Sequence, residues 1–386
     1  MEAEVNKMTK QPSYRFAGYT EPWAEKKLGE VAEVNPKSVV PDEFKYVDLG
    51  AVVGTEMISY RNETIPTSPS RAQRLAIKGD IFYQTVRPYQ KNNYLFEKDD
   101  NDYVFSTGYA QLRPSGDGCF LLSYLQTNKF VNVVLDNCTG TSYPAINSKD
   151  LSDIFISLPS LPEQTAIGSF FQDIDQLISL QQRKLEVFKE QKKTYLKLLF
   201  PAKGQTKPAL RFAGFEDDWK EVKLGEIVAS ERKGKAKSEM IGNKSVYLDT
   251  IYLNGGEQTR VDYDCDTSKE DIIILWDGSQ AGTVYYGFEG ALGSTLKSYK
   301  IFGSGSFYYQ QMKASQSLIF ERYRTPNIPH VIKSFLDDFY IFTTSLPEQQ
   351  AIGSFFQDLD KAIAKQEEKV NQLKESKQTL LRKMFI

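Results

Sequence analysis

The segment LPEQTAIGSFFQDID, which starts at Leu161, returns as LPEQQAIGSFFQDLD from Leu346, with 13 of 15 positions identical and an offset of 185 residues. A second repeat precedes each copy. YRFAGYTEPWAEKKLGEVA at 14–32 matches LRFAGFEDDWKEVKLGEIV at 210–228, so that Arg15, Phe16, Ala17, Gly18, Trp23, Lys27, Leu28, Gly29 and Glu30 recur 196 positions later. A repeat of this kind constrains the architecture before any single residue does. The chain reads as a lead-in, a body and a long helix, and then all three again. The first body is longer by 196 − 185 = 11 residues, and the two bodies are otherwise unlike each other. This is a tandem duplication in which only the bodies have been free to change.

The helices are the most regular part. SLPEQ opens each one, with proline in the first turn and glutamate at the positive end of the macrodipole. Alternate steps of four and three from Ile167 visit Phe171, Ile174, Ile178, Gln181, Leu185, Phe188, Lys192, Tyr195 and Leu199. The same steps from Ile352 visit Phe356, Leu359, Ile363, Gln366, Val370, Leu373, Lys377, Leu380 and Met384. Eight of ten positions are apolar or aromatic in each set, and the polar exceptions fall at the same two steps. A 3.5-residue period held this long makes a coiled-coil seam. Glu163 to Leu199 is 37 residues, about 55 Å of helix at 1.5 Å per residue. PAKGQTKPA at 201–209 breaks the first helix, and the second returns at the C-terminal end. The two stripes are expected to pack antiparallel about a pseudo-two-fold axis, with Gln181 beside Lys377 and Lys192 beside Gln366.

The bodies read as mixed α and β. GDIFYQTV (79–86) and EDIIILW (270–276) are short strand-like runs, and a last strand before each SLPEQ feeds the helix. The lead-in aromatics Phe16 and Trp23 read as packed anchors. The length of 386 residues suits two to three domains, and 40% hydrophobic with 25% charged residues suits a soluble protein with a real core. No apolar run suggests a membrane span or a signal peptide, so a cytoplasmic location is expected. Cys119, Cys138 and Cys265 are widely spaced and read as structural thiols. Net charge is −2, with 15 Lys/Arg against 18 Asp/Glu over 11–160 and 16 against 19 over 208–345. A surface for nucleic acid must then be a local patch, or be completed by a partner.

Catalytic patterns are missing. The lone histidine, His330, excludes most histidine-based sites. GSGS at 303–306 lacks the lysine of a phosphate loop and reads as a turn. PDEFK (41–45) has its acidic pair collapsed to neighbours. DYDCDTSKED (262–271) has Thr267 and Ile273 where a calcium loop needs glycine and glutamate. No catalytic residue and no metal ligand is assigned. The expectation is a chain that is not itself an enzyme.

The duplicated helix starts, the seams behind them and the duplicated RFAG(Y/F)…W…KLGE lead-ins cover essentially the whole chain in order. In these the sequence resembles the specificity (S) subunit of type I restriction–modification systems. The resemblance implies an α+β fold. Two globular mixed α/β target recognition domains are separated by two long antiparallel helices that form an intramolecular coiled coil, as a pseudo-two-fold tandem repeat. The expected boundaries are 1–160 and 208–345 for the recognition domains, 161–207 for the central helix and linker, and 346–386 for the C-terminal helix. The resemblance also implies a function: reading a bipartite double-stranded DNA site, one half per domain, with the spacer set by the helix pair. Partners would be two adenine-N6 methyltransferase (M) subunits docked on the helices, restriction (R) subunits beyond them, and no membrane. No cofactor is expected on this chain, with S-adenosylmethionine, ATP and Mg2+ on the partner subunits. A coiled-coil scaffold for protein partners and a self-contained DNA-modifying enzyme are the competing classes.

Direct readout uses Arg/Lys for guanine and Asn/Gln for adenine, with Ser, Thr and Tyr adaptable. In the first body Thr85, Arg87, Tyr89, Gln90, Lys91, Asn92 and Asn93 concentrate in one loop. Thr139, Thr141, Ser142 and Tyr143 form a second cluster, and GYAQLR (108–113) a third. In the second body the candidates are Ser279, Gln280, Lys297, Tyr323, Arg324 and Asn327. Arg232, Lys233, Lys235 and Lys237 suit phosphates.

Overall fold

The computed structural model describes residues 11–202 and 204–385, and it divides inside both long helices. Residues 11–182 with 368–385 form one unit and 183–367 the other. The first ten residues of the expected first domain, Lys203 of the linker and Ile386 lie outside the described residues.

In the first unit the lead-in feeds β1 (Ala24–Lys27), the single turn α1 (Leu28–Val31), β2 (Ala32–Val34) and β3 (Glu43–Val47). A tight hairpin follows, β4 (Val52–Val53) with β5 (Glu56–Met57), turning at Gly54 with φ +61°. Next come β6 (Arg61–Thr64), β7 (Ala72–Leu75), β8 (Ile81–Gln84), β9 (Tyr94–Leu95), β10 (Tyr103–Ser106) and β11 (Tyr109–Pro114). One sheet has the order β2-β11-β8-β9 and the other β6-β3-β10-β7. Every residue of β8 is buried, the polar Gln84 included, so its sequence shows no alternation between an apolar and a polar face. Phe82 stacks on Phe105 with ring centroids 3.6 Å apart. Polar caps start the helices α2 (Gly118–Leu125), α3 (Asn128–Asp136) and α4 (Ser148–Asp153). Asp117 accepts from the Phe120 amide at 2.8 Å, Thr127 from Phe130 at 3.2 Å and Asn147 from Asp150 at 2.9 Å. β12 (Phe155–Leu158) pairs antiparallel with β1 and runs into α5 (Leu161–Leu198).

The second unit repeats the plan with β13 (Lys220–Lys223), α6 (Leu224–Ile227), β14 (Val228–Lys233), β15 (Ile241–Leu248), α7 (Thr250–Leu253) and β16 (Arg260–Val261). It continues through β17 (Ile272–Leu275), β18 (Val284–Tyr286), β19 (Ala291–Leu292) and β20 (Leu296–Ile301). Helices α8 (Gly305–Ala314), α9 (Gln316–Arg322) and α10 (Phe335–Asp338) lead to β21 (Tyr340–Thr343) and α11 (Leu346–Met384). The sheet β14-β20-β17-β18 copies β2-β11-β8-β9 strand for strand, while β16-β15-β19 lacks a counterpart of β7. GSGS is more than the expected turn. Ser304 accepts from the Phe307 amide at 3.4 Å and caps α8.

The lead-in and the helix start form one joint in each unit. Arg15 donates two hydrogen bonds to Glu163, at 2.6 and 2.7 Å, and a third to Glu21 O. Arg211 does the same to Glu348, at 2.7 and 2.8 Å, and to Asp217 O. Both carboxylates are fully buried, so the glutamate that the sequence sets against the helix dipole is in fact clamped by an arginine. Gln164 Oε1 accepts from the Asp117 amide at 3.3 Å, and Gln349 Oε1 from Ser304 at 3.1 Å, tying α5 to α2 and α11 to α8. The glycine of AIGSFF completes the contact. A Cβ on Gly168 would meet Asp117 and sit 2.7 Å from the Phe120 amide, and one on Gly353 would meet Ser306 and sit 3.1 Å from the Phe307 amide. The aromatic anchors pack as expected, Trp23 against Phe120 and Phe385, Trp219 against Phe200 and Phe307.

The seam positions of both long helices, including Gln181 and Gln366, are buried or half-buried. In the first unit Phe171 packs on Phe385 at 5.6 Å, and Lys377 is paired with Asp175. In the second, Phe356 packs on Phe200 at 6.0 Å, and Lys192 is paired with Asp360 at 2.6 Å. Positions rise on one helix as they fall on the other, so the helices run antiparallel in each unit. The expected lysine–glutamine register is replaced here. Each seam lysine reaches a flanking aspartate six residues before the glutamine, where a charge-assisted bond is stronger than one to an amide. Among the described residues no helix is long and apolar enough to cross a membrane, and no group of three metal-ligating side chains is found.

Candidate functional site

In the first unit β8 ends in a loop that folds onto the segment after α3. Val86 bridges to Ala145, the Arg87 amide donates to Pro144 O at 2.8 Å, and the Ile146 amide donates to Thr85 O at 3.1 Å. Two candidate clusters, joined by residues 145 − 86 = 59 apart, thus become one tip. Arg87 has left-handed backbone, φ 55°, and its guanidinium lies over the Tyr143 ring, 4.3 Å from the centroid. Tyr89, Gln90, Thr139, Thr141, Ser142 and Tyr143 are exposed there.

The remaining candidates of this loop hold it together. Thr85 is buried and donates to Gly108 O at 2.8 Å, and buried Asn93 accepts from the Gln84 amide at 2.8 Å. Asn92 accepts from Gly54 at 2.9 Å, which ties in the β4–β5 hairpin. Lys91 gives its ammonium to Gln126 O at 2.8 Å and to Asn128 at 2.5 Å. Burial, and then nearby Lys377, hold the Lys91 pKa below the ordinary lysine value. The third cluster, 108–113, lies in and just before β11, where Gln111 and Arg113 are committed to Asp80. Thr85 and Asn93 are withdrawn from the surface by burial, and the Lys91 ammonium is engaged within the chain by Gln126 O and Asn128.

The second unit builds the same tip from different side chains. Asp277 bridges to His330, the Gly278 amide donates to Pro329 O at 2.9 Å, and Arg324 bridges to Val331. Ser279, Gln280 and Asn327 are exposed there. Arg324 braces the tip, donating to Phe320 O at 2.8 Å and Ser279 O at 3.2 Å. Tyr323 is half-buried, packed against Phe335 and Phe339, and donates to Asp338 O at 3.1 Å. Lys297 is stacked on Trp276, 3.6 Å from the centroid, and reaches Glu231 at 3.4 Å. Arg232 donates to Asp266 O and Lys233 is paired with Asp277, while Lys235 and Lys237 are exposed. His330 Nδ1 lies 3.0 Å from Thr325 Oγ1, within the turn.

Sequence reading missed the residues that come to these tips from elsewhere. A cavity of about 610 Å3 beside Ser279 and Gln280 is also lined by Asn254, Tyr285, Lys313 and Gln316. A groove of about 420 Å3 below the first tip is lined by Gln90, Lys91, Thr55, Lys374 and Lys377. Burial, then Lys192, lowers the Lys313 pKa as burial and Lys377 do for Lys91. No local motif marks these residues, because they come from strands, loops and helices far apart in the chain.

The model of the family described as "Type I restriction modification DNA specificity domain" matches residues 20–190 and again 216–375. The type I restriction enzyme MjaVIII specificity subunit of Methanocaldococcus jannaschii is 28% identical over 181 residues, 44% of this chain and 42% of that one. The chain thus spans under half the length of this curated relative. Two solved structures share the fold. A type I restriction–modification system S subunit from M. genitalium has a TM-score of 0.69 at 17% identity, covering 98% of this chain and 99% of that one. A chain from a study of complex assembly and conformational transition of the type I R-M system has a TM-score of 0.53 at 21% identity, covering 96% and 99%.

Proposed function

Because the chain belongs to the type I restriction–modification DNA specificity family, which matches it twice, we propose that it is the non-catalytic DNA-reading subunit of such a system. Each tip reads one half of a bipartite duplex site. The observation that carries this reading is the twin construction of the tips: the same sheet and the same loop bridge, Val86 to Ala145 and Asp277 to His330, present different exposed side chains. A fold that keeps its frame and varies its tip suits a reader of two different half-sites.

The long helices dock two adenine-N6 methyltransferase subunits, and restriction subunits join through them. S-adenosylmethionine, ATP and Mg2+ belong to those partners, and the assembly works in the cytoplasm. The repeated surface of the helix starts supports two equivalent docking faces. Each body carries more acidic than basic side chains, 18 against 15 over 11–160 and 19 against 16 over 208–345, so the partners supply part of the phosphate contact. Helices of 38 and 39 residues set the number of uncontacted base pairs between the half-sites.

The test is a map of genomic N6-methyladenine with the gene present, deleted, and carrying exchanged tip loops. One split motif should vanish on deletion, and exchange of residues 139–143 should change one half of it only. A methylation pattern indifferent to the gene would refute the reading.

A further inference from the structure

Arg87 is held in an uncommon backbone conformation. Its backbone is left-handed, at φ 55° and ψ 57°, a region that costs a residue with a Cβ about 1–2 kcal/mol. Its amide is pinned to Pro144 O and its neighbour Val86 to Ala145, so the strain is imposed by the frame of the tip. The result is a guanidinium laid over Tyr143, a ring that is 63% exposed. Among the described residues no carboxylate or carbonyl takes a hydrogen bond from that guanidinium. Other arginines of the chain are spent differently: Arg15 and Arg211 on Glu163 and Glu348, Arg113 on Asp80, Arg324 on Phe320 O and Ser279 O.

A guanidinium stacked on an aromatic ring keeps its plane while its N–H edge stays free. That edge is a rigid fork of donors, and guanine offers the matching pair of acceptors, O6 and N7, in the major groove. We propose that Arg87 reads a guanine in the half-site of the first unit, and that Tyr143 is the positioning residue that holds the guanidinium plane. The inference rests on the DNA-reading function proposed above and adds the base and the edge that are read. The second tip differs in that its arginine, Arg324, lies over Phe320, 4.6 Å from the centroid, but has already given its guanidinium to Phe320 O and Ser279 O.

The test uses the full chain co-purified with its methyltransferase subunits and duplexes carrying the mapped motif. Binding is followed by fluorescence anisotropy at several salt concentrations. For the wild type, 7-deazaguanine at one guanine of the first half-site should weaken binding about tenfold, and replacing that base pair should cost about tenfold to a hundredfold. Arg87→Ala and Arg87→Lys should each lose discrimination at that position and keep it at all others. Tyr143→Ala should lose part of the discrimination without changing the salt slope, and Tyr143→Phe, which restores the ring under the guanidinium, should recover most of it. Two results would overturn the assignment. One is an Arg87→Ala variant, folded by circular dichroism, that weakens binding equally on all sequences and lowers the salt slope by about one, the mark of a phosphate contact. The other is unchanged discrimination. Absence of any sequence-dependent binding by the wild-type complex would defeat the DNA-reading function itself, and the inference with it.

Discussion

Arg15→Ala removes one side of a buried ion pair and leaves the other in place. Glu163 is 1% exposed and its guanidinium partner 11%, so the carboxylate would be stranded out of water. Stranding one member of a buried pair costs about 3–5 kcal/mol. Its twin pair is not quite the same. Glu348 also accepts from the Thr344 hydroxyl at 2.5 Å, whereas the position equivalent to Thr344 in the first copy is Pro159, which has no donor. A hydrogen bond to a charge is worth about 1.5–3 kcal/mol, so Arg211→Ala should lose less. Peptide-resolved hydrogen exchange measures both in one experiment. At about 1.4 kcal/mol per tenfold, amides of β1 and the first turns of α5 should exchange about two to three orders of magnitude faster in Arg15→Ala. Those of β13 and α11 should exchange about one to two orders faster in Arg211→Ala. Arg15→Ala with Glu163→Gln should recover part of the loss, since a neutral amide is cheaper to bury than a carboxylate. Equal effects of the two arginine substitutions, or none, would refute the reasoning about burial and the Thr344 hydroxyl.

Gly168→Ala should destabilise the first unit by about 1–3 kcal/mol in urea melts, because the added methyl has no room against Asp117 and the Phe120 amide. Asp175→Lys should lower the melting temperature by setting a second ammonium beside Lys377, and Asp175→Lys with Lys377→Asp should restore most of it. Thiol labelling at pH 8.5 should modify exposed Cys265 first, while Cys119, its pKa pushed up to about 12 by burial, stays a slow-reacting thiol. A permutant that joins residue 385 to residue 14 through a copy of the 201–209 linker, and opens within the original linker, should fold with a similar melt. The Tyr14 amide already donates to Lys383 O at 2.9 Å, as the Leu210 amide donates to Leu198 O at 2.8 Å.

Long-period signals were the legible ones. The 3.5-residue stripe from Ile167 and its copy from Ile352 could be read directly, because a seam is a local, periodic property of the chain. The anchors Phe16 and Trp23 were legible because large aromatics in a duplicated motif have few other uses. What the sequence concealed is which polar side chains are already occupied. Thr85 and Arg87 lie two residues apart in one loop and look alike as candidates, yet Thr85 is buried against Gly108 and Arg87 is presented on Tyr143. The difference is set by a bridge that joins residues 145 − 86 = 59 apart, and no short window of the sequence contains both. The seam register failed for a related reason: Asp175 and Asp360 stand one position off the stripe, where a carboxylate beside the seam outcompetes an amide inside it.

The fifteen repeated residues can now be divided by use. Glu163 and Glu348 are taken by lead-in arginines, Gln164 and Gln349 by the caps of α2 and α8, and Gly168 and Gly353 by the close approach of those same helices. Ile167, Phe171, Ile352 and Phe356 fill the cores on which the returning helix ends, Leu381 in the first unit and Leu199 in the second. This glutamate, glutamine and glycine of the repeat are thus answered in each copy by a residue that is itself repeated or equivalently placed, so a change at any of them would break a contact rather than tune it. The tips meet no such demand. Their backbone bridges fix where the loops go, and the side chains at Arg87, Thr141, Ser142, Ser279, Gln280 and Asn327 can vary without disturbing the joint. Constraint and freedom therefore separate along the chain because the joint is closed by the chain itself, while the tips are completed only by what they bind.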